Sequence, residues 1–387
     1  MYLKNLHLRS FRNYIEQQVN FNRQKTIIVG NNAQGKSNLL EAVELLATLK
    51  SHRTIRDREL VLDGSNAGQI SATVKRAYGT AELTLTLRKQ GKRTIALNKE
   101  PLRRQIEFLG NLNAVQFSSL DLDLVRGAPE SRRSWIDGLL IQLEPVYVHI
   151  LQQYNQVLRQ RNALLKAIRK QEQDRKSDIS TTKTIDKTQL FLWDEQLAAA
   201  GSRVTRRRAR VLNRLAPIAQ KWHDRISGKT ETLTITYAPN VGWTEDIPEK
   251  VQQAFLEKIE QRRIAEYHQG KTVVGTHRDE IEFTIDDTPA RYYGSQGQQR
   301  TLVLALKLAE LKLIEEIIGE PPLLLLDDVL AELDPHRQNQ LLETIGDRFQ
   351  TLITTTHINS FNDLWIKDAQ ILTINQGKIS YSHKPNL

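Results

Sequence analysis

Residues Gly30-Asn31-Asn32-Ala33-Gln34-Gly35-Lys36-Ser37 constrain this chain more than any other stretch. They satisfy G-x-x-x-x-G-K-[ST], a loop whose backbone N–H groups close around phosphate oxygens. At ordinary glycine usage roughly 1–2% of chains this long carry the pattern by accident, so its flanks decide. Thr26-Ile27-Ile28-Val29 in front reads as a buried strand, and Asn38–Leu46 behind reads as a helix. Strand, glycine loop and helix is the setting the loop needs, and the helix N-terminus adds a partial positive charge. Gly30, Asn31, Asn32, Ala33, Gln34, Gly35 and Lys36 therefore form a candidate cradle for a nucleoside triphosphate. Lys36 is expected to reach the β- and γ-phosphates and Ser37 to hold Mg2+.

A second signal lies near the other end. Pro321-Pro322 breaks the chain, and Leu323-Leu324-Leu325-Leu326 reads as a fully buried parallel strand ending in Asp327-Asp328. In that position Asp327 holds Mg2+ through water and Asp328 polarises the attacking water. Thr351–Thr356 is a further strand with His357 at its end, where it could touch a γ-phosphate. Leu112–Phe117 is another, ending in Gln116, a side chain able to carry a metal-bound or attacking water; a plain surface glutamine is the alternative. Gly294-Ser295-Gln296-Gly297-Gln298-Gln299-Arg300 opens a strongly apolar helix through Ile318, and Ser295, Gly297 and Gln298 there make a second candidate anion site. Lys36 and Asp327 must meet at one Mg2+, so the stretch between them contains an insertion into a single nucleotide-binding unit.

The rest reads as follows. Strands are expected at 2–8, 17–21 and 25–29. Between the first two, Arg9–Tyr14 is either a cation–aromatic cluster facing a nucleotide or a turn with two core aromatics. Arg53, Arg56 and Arg58 precede β-type runs at 69–75, 81–88 and 93–97, with a hairpin at Gly91, which form an antiparallel side-sheet. A helix starts within Gly127–Arg133. From Ser131 to about Gly270 the pattern is mostly helical, broken by Pro145 and Pro217, with Gln171–Lys187 a polar, mobile linker and a second long helix from Gln189 towards Ile226. That helix carries Arg203, Arg206, Arg207, Arg208, Arg210 and Arg214 with no interleaved acid, a candidate surface for a nucleic-acid backbone. The net charge of +10 points the same way. Strands return at 272–275 and 280–286, with the polar cluster Gly275–Asp279 between them, and close the chain at 369–374 and 378–381. No apolar run is long enough to span a membrane, the N-terminus is no signal peptide, and the absence of cysteine excludes disulfides and thiolate metal sites. A cytoplasmic location without a membrane partner is the expectation.

The order loop, Gln, Ser-x-Gly helix, Asp-Asp, acid-Leu-Asp, His resembles the ABC-type ATPases. The resemblance implies an α/β head, a P-loop sheet with helices plus an antiparallel β side-sheet, carrying an inserted mainly helical domain. The corresponding division is 1–130 for the first half of the head, 131–271 for the insertion and 272–387 for the second half. It also implies ATP and Mg2+ as ligands, and a homodimer in which the Ser295 turn, the signature of the superfamily, caps ATP held by a second head. Within that superfamily the chain resembles the RecF family of bacterial recombination mediators. The match rests on Ser10–Tyr14, the phosphate loop, Gly-Thr-His-Arg-Asp at 275–279, and Ser-Gln-Gly-Gln-Gln-Arg at 295–300 followed by Leu-Leu-Asp-Asp-Val-Leu-Ala-Glu-Leu-Asp. It departs at Thr276, at Ser119-Leu120 and at Ala331, where the family often has Pro, Pro-Glu and Ser. The family implies binding to single-stranded, gapped and double-stranded DNA, slow ATP hydrolysis, help from RecO and RecR in loading RecA, and support for replication restart and the SOS response. Rival readings are a transporter ATPase subunit, a long-armed SMC or Rad50-like ATPase, and a DNA clamp gated by ATP without significant turnover.

Overall fold

The computed structural model describes residues 1–176, 188–358, 361 and 363–382. Strands β1 (Tyr2–Phe11) and β2 (Tyr14–Asn20) form a hairpin, and β3 (Lys25–Val29) runs into the phosphate loop and α1 (Lys36–Thr48). Next come β4 (Ala67–Arg76), β5 (Gly79–Arg88), β6 (Thr94–Leu97), β7 (Glu100–Leu102), the single turn α2 (Gln105–Phe108) and β8 (Ala114–Ser118). Helices α3 (Asp123–Arg126), α4 (Pro129–Leu143), α5 (Tyr147–Lys176) and α6 (Thr188–Ser227) follow, then β9 (Leu233–Ala238) and α7 (Pro248–Gln269). The chain closes through β10 (Glu280–Ile285), β11 (Thr288–Pro289), α8 (Ala290–Tyr293), α9 (Gln296–Ile318), β12 (Leu323–Asp327), α10 (Pro335–Ile345), β13 (Thr351–Thr355), α11 (Asp363–Asp368), β14 (Ala369–Asn375) and β15 (Lys378–Ser382).

Two six-stranded sheets build the head. One has the order β15-β14-β3-β13-β12-β8 and is parallel except for β15. Its central strands are unbroken apolar runs, as burial on both faces requires: Ile27, Ile28, Leu323 to Leu326, Leu352 and Ile353 are all essentially without exposed surface. Register pairs Thr355 with Val29 and Asp327 with Thr354, so the phosphate loop, His357 and the Asp327-Asp328 pair leave the sheet at one carboxyl edge, where α/β sites form. The other sheet, β2-β1-β4-β5-β6-β7, is antiparallel. Leu3, Leu6, Leu8, Ile70, Ala72, Val74, Leu83, Leu85 and Leu87 bury one of its faces, the period-2 alternation of a half-covered sheet.

The inserted arm and the segment just after it depart from the sequence expectation in four ways. Gln171–Lys176 continue α5 as helix, and the remainder of the expected linker, 177–187, lies outside the described residues. Pro217 does not interrupt α6, which runs through it for 40 residues, roughly 60 Å. Leu215 and Ala219 on either side are fully buried, so tertiary packing offsets the lost backbone hydrogen bond. The arm also contains β9, which joins β10 and β11 in a small third sheet. Finally, Thr272–Gly275 is not a strand. The N–H groups of Thr272, Val273 and Gly275 donate to side chains instead, Asn162 Oδ1 (2.7 Å), Glu266 Oε1 (2.9 Å) and Asn240 Oδ1 (2.9 Å). The buried Arg161 fastens that segment to the arm by donating to Asp194 (2.8 Å), Thr272 (2.9 Å) and Glu266 (2.5 Å).

Candidate nucleotide site

The phosphate loop is clamped from behind by the β1–β2 turn. Tyr14 OH donates to the Gly35 carbonyl (2.8 Å), Asn13 Nδ2 to the Gln34 carbonyl (2.8 Å), and Asn38 Nδ2 to Asn13 Oδ1 (2.8 Å). The fit requires glycine at both motif positions. A Cβ at Gly35, whose φ is 118°, would lie 2.7 Å from Asn13, and one at Gly30 would lie 2.4 Å from the Ile374 carbonyl. Ala33 also takes a left-handed backbone, φ 62°. With the carbonyls held outward, Lys36 Nζ arches over the loop and donates to the Gly30 and Asn31 carbonyls at 2.9 and 3.2 Å. Those are weak holds for an ammonium, and a phosphate oxygen would displace them. Of the cation–aromatic cluster, Phe11 and Tyr14 are core residues, and Arg12 is committed to the buried Glu41 carboxylate (2.6 and 2.8 Å).

The two ends of the chain meet in front of this loop. Ser37 Oγ donates to Asp327 Oδ1 at 2.8 Å, across 290 positions of sequence. Thr354 Oγ1 donates to the same carboxylate oxygen (2.7 Å) and accepts from the Asp328 N–H (2.9 Å). A serine hydroxyl facing a carboxylate is the hard-oxygen donor set that Mg2+ takes, with the rest of its shell drawn from phosphate and water. Among the described residues no cluster of three or more His, Cys, Asp or Glu could hold a metal by itself. Asp328 has a left-handed backbone, φ 54°. Burial raises its carboxyl above the usual range; Lys36 opposes that shift and Asp327 adds to it.

Gln116 does not end its strand. β8 continues to Ser118, Gln116 pairs with Leu325 rather than with Asp327, and its Nε2 donates to His52 Nε2 (3.2 Å). His52 is set by Glu44, 2.6 Å from Nδ1. Burial depresses its pKa, but the Glu44 hydrogen bond and the charges of Glu44, Glu41 and Asp327 together raise it overall. Gln116 Oε1 is buried without a hydrogen bond in a groove of about 530 Å³ that Gln116 and His52 help to line. The His357 side chain is exposed, just past the strand beside the phosphate loop. Ser295 sits at the N-cap of α9 in a capping box: its Oγ accepts from Gln298 N–H (3.2 Å) and its N–H donates to Gln298 Oε1 (2.8 Å). Arg337, just inside α10, donates to the Gly297 carbonyl (3.3 Å) and to Thr301 Oγ1 (2.9 Å).

The six arginines of α6 do not act as one face. Arg208 is buried, donating to Asp137 (2.9 Å at both oxygens), Asp279 (3.0 Å) and the Thr276 carbonyl (2.8 Å). It neutralises interior carboxylates and is withdrawn from the phosphate-contact set. The same cluster absorbs Gly275–Asp279: Asp279 also accepts from Tyr237 OH (2.5 Å) and Asn240 N–H (2.8 Å). Arg206 and Arg210 share Asp246 (2.5 and 2.6 Å), and Arg207 meets Glu144 (3.1 Å). The absence of interleaved acid is thus compensated from other elements. Arg203 and Arg214 remain exposed. Sequence reasoning missed Thr354, His52 and Arg337, which carry no motif and reach the site only through packing.

A family profile described as RecF/RecN/SMC N terminal domain matches residues 2–380. The DNA replication and repair protein RecF of Gloeothece citriformis is 74% identical over 381 residues, 98% of this chain and 99% of its own length. RecF of Rippkaea orientalis is 68% identical over 380 residues, 98% of this chain and 99% of its own. Among solved structures, the recombination mediator protein RecF-ATPrS in the RecFOR pathway superposes with a TM-score of 0.88 at 31% identity, covering 98% of each chain. The Smc head domain of Pyrococcus furiosus shares the fold, with a TM-score of 0.53 at 15% identity over 98% of this chain and 96% of that one. Likeness sustained along nearly the whole length, over an ABC/SMC-type head, means that this chain belongs to the RecF family.

Proposed function

We propose that this protein binds ATP and Mg2+ at the Lys36 loop, uses them to join two copies head to head, and works on DNA in recombinational repair. The observation that carries the reading is the meeting of Ser37, Asp327 and Thr354 beside the phosphate loop, which sets a hydroxyl and a carboxylate where Mg2+ bound to a phosphate would need them. Gly30 to Lys36 would hold the phosphates, and Ser37 and Asp327 the metal, which when bound draws charge from the phosphate oxygens. Asp328 would orient the attacking water, with Gln116 and His357 at its flanks, and Ser295, Gly297 and Gln298 would cap the ATP of the second copy. Related RecF structures carrying ATP and ATPrS support nucleotide binding.

The finer family activities follow as part of the same proposal. These are weak DNA-dependent turnover in the cytoplasm, binding of single-stranded, gapped and double-stranded DNA, partnership with RecO and RecR in loading RecA, and a role in replication restart and the SOS response. The DNA contacts would come from Arg203 and Arg214, with Arg206, Arg207 and Arg210 released from their acids. A long-armed SMC-like role is disfavoured by the length of the arm helices, 30 residues in α5 and 40 in α6, or roughly 45 and 60 Å. An ATP-gated clamp without significant turnover is favoured by one feature, the short side chain of Asp328; ATPase assays with and without DNA separate it. The test of the main reading is sedimentation with and without ATP, then with gapped DNA, for wild type and Lys36→Ala. Losing the lysine should cost about 2–4 kcal/mol of nucleotide affinity and abolish the ATP-dependent dimer. Wild-type binding of labelled ATP by the variant would mean that the nucleotide lies elsewhere.

A further inference from the structure

The signature turn is gripped from two distant parts of the chain. Arg337 holds its Gly297 side, as above. The other grip is Glu231, in the turn between α6 and β9. Its Oε1 accepts from Gln298 Nε2 at 3.0 Å, and the Oε1 of that same glutamine accepts the Ser295 N–H at 2.8 Å. A carboxylate only accepts, so it fixes which end of the Gln298 amide faces it. With the amide reversed, its NH2 would face the Ser295 N–H, donor against donor. Glu231 thereby holds the capping box in the one orientation in which Ser295 Oγ accepts from Gln298 N–H. None of these bonds uses the serine hydroxyl proton, which stays available to an incoming oxygen.

The second oxygen of Glu231 lies 3.6 Å from His223 Nε2, beyond hydrogen-bonding reach. His223 is fully buried, neither of its ring nitrogens has a hydrogen bond, and burial lowers its pKa. With no hydrogen bond between them, His223 does not draw the carboxylate from Gln298. The turn that carries Glu231 is stiff. Gly228 and Lys229 take left-handed backbones (φ 70° and 61°), Lys229 N–H donates to the Asp224 carbonyl (2.7 Å), and Thr230 Oγ1 donates to the Ser227 carbonyl (2.7 Å). Displacement of the end of α6 therefore displaces Glu231.

We propose that Glu231 is a positioning residue for the signature serine, through which the arm helix α6 sets how well Ser295 of one copy meets the nucleotide held by a second. This rests on the two-copy reading above. The arginines of α6 and the signature of α9 are then parts of one lever, with a single hydrogen bond at its short end.

The test compares wild type, Glu231→Ala and Glu231→Gln in two measurements. The first is binding of a fluorescent ATP analogue to dilute, monomeric protein. The second is dimerisation in a non-hydrolysable ATP analogue, by sedimentation velocity. All three chains should bind the fluorescent analogue alike, because the Lys36 loop is untouched. Glu231→Ala should need roughly tenfold more protein to dimerise, as for a lost hydrogen bond to a charged group. Glu231→Gln, whose carbonyl still accepts from Gln298, should stay within about threefold of wild type. The proposal is overturned if Glu231→Ala dimerises like wild type, if Glu231→Gln fails as badly as Glu231→Ala, or if either loses monomeric nucleotide binding in proportion. A wild-type chain that stays monomeric in the analogue overturns the two-copy reading and this inference with it, which tells the two failures apart.

Discussion

At the scale of single residues, burial and neighbouring charges shift the titration of groups in and around the site. Asp328 stands where a longer glutamate would reach further, and its short stem holds an attacking water less well. Asp328→Asn should keep ATP binding, lose hydrolysis and accumulate the ATP dimer in sedimentation; normal turnover by the variant would exclude Asp328 as the base. His277 makes a prediction about stability. Its Nε2 faces the Thr272 carbonyl (3.3 Å), which can only accept, so Nδ1 takes the Tyr154 hydroxyl proton (2.7 Å) and the ring is neutral. Burial lowers its pKa to about 4, against ~6.5 in the unfolded chain. Between those values the unfolded chain binds a proton that the folded one refuses. The contribution is fully present above about pH 6.5 and is lost as pH falls towards 4, at up to about 1.4 kcal/mol per pH unit. His277→Gln should flatten that part of the urea-unfolding profile. His52, raised instead of lowered, has the opposite sign: its contribution is lost as pH rises past its folded pKa.

At the scale of elements, α6 separates charge from function. Arg208→Ala should cost about 3–5 kcal/mol of unfolding free energy, because it strands Asp137 and Asp279 in the interior, yet leave the salt dependence of DNA binding unchanged. Arg203→Ala with Arg214→Ala should do the reverse. If both contact phosphates, the slope of log affinity against log salt should flatten by about 0.7–0.9 per contact; an unchanged slope would move the DNA towards Arg53, Arg56 and Arg58. The same helix shows what the sequence could tell. The phosphate loop, the Leu323–Leu326 strand and the helix start at Ser295 were legible because their causes are local: glycine geometry, an unbroken apolar run, a Ser and a Gly ahead of an apolar helix. Arg208 was not legible as a core residue, since its partners come from α4 and from the Thr276 turn. The strand expected at 272–275 failed for a similar reason, with side chains of Asn162, Glu266 and Asn240 taking the hydrogen bonds that a neighbouring strand would have supplied. β9 alternates in sequence but lies inside a helical stretch, where period alone is a weak guide.

At the scale of the whole molecule, the two-copy reading is testable by complementation. Lys36→Ala and Ser295→Arg are each expected to be inactive. Mixed equally, they should form about half heterodimers, in which one composite site carries both lesions and the other is intact. Independent sites then recover roughly a quarter of wild-type ATPase activity. A monomeric enzyme, or one whose Ser295 serves its own nucleotide, recovers none, and zero recovery together with monomeric sedimentation in ATP would falsify the sandwich. The inverse control is a chain carrying both substitutions, mixed with wild type, which places both lesions on opposite sites of each heterodimer.

The placement of β3 has a consequence in time. Its two neighbours, β13 and β14, both come from the far end of the chain, and Ser37 waits 290 positions for Asp327. At about 5–20 residues per second of synthesis, the phosphate loop leaves the ribosome roughly 15–60 s before the carboxylate that completes it. Throughout that interval β3 is an apolar strand with two open edges, while the antiparallel sheet, whose strands all lie within the first 102 positions, already has every partner it needs. The side-sheet is thus the part of the head able to form during translation. A nascent chain halted inside the arm would carry the whole glycine loop and still have no site to offer a nucleotide.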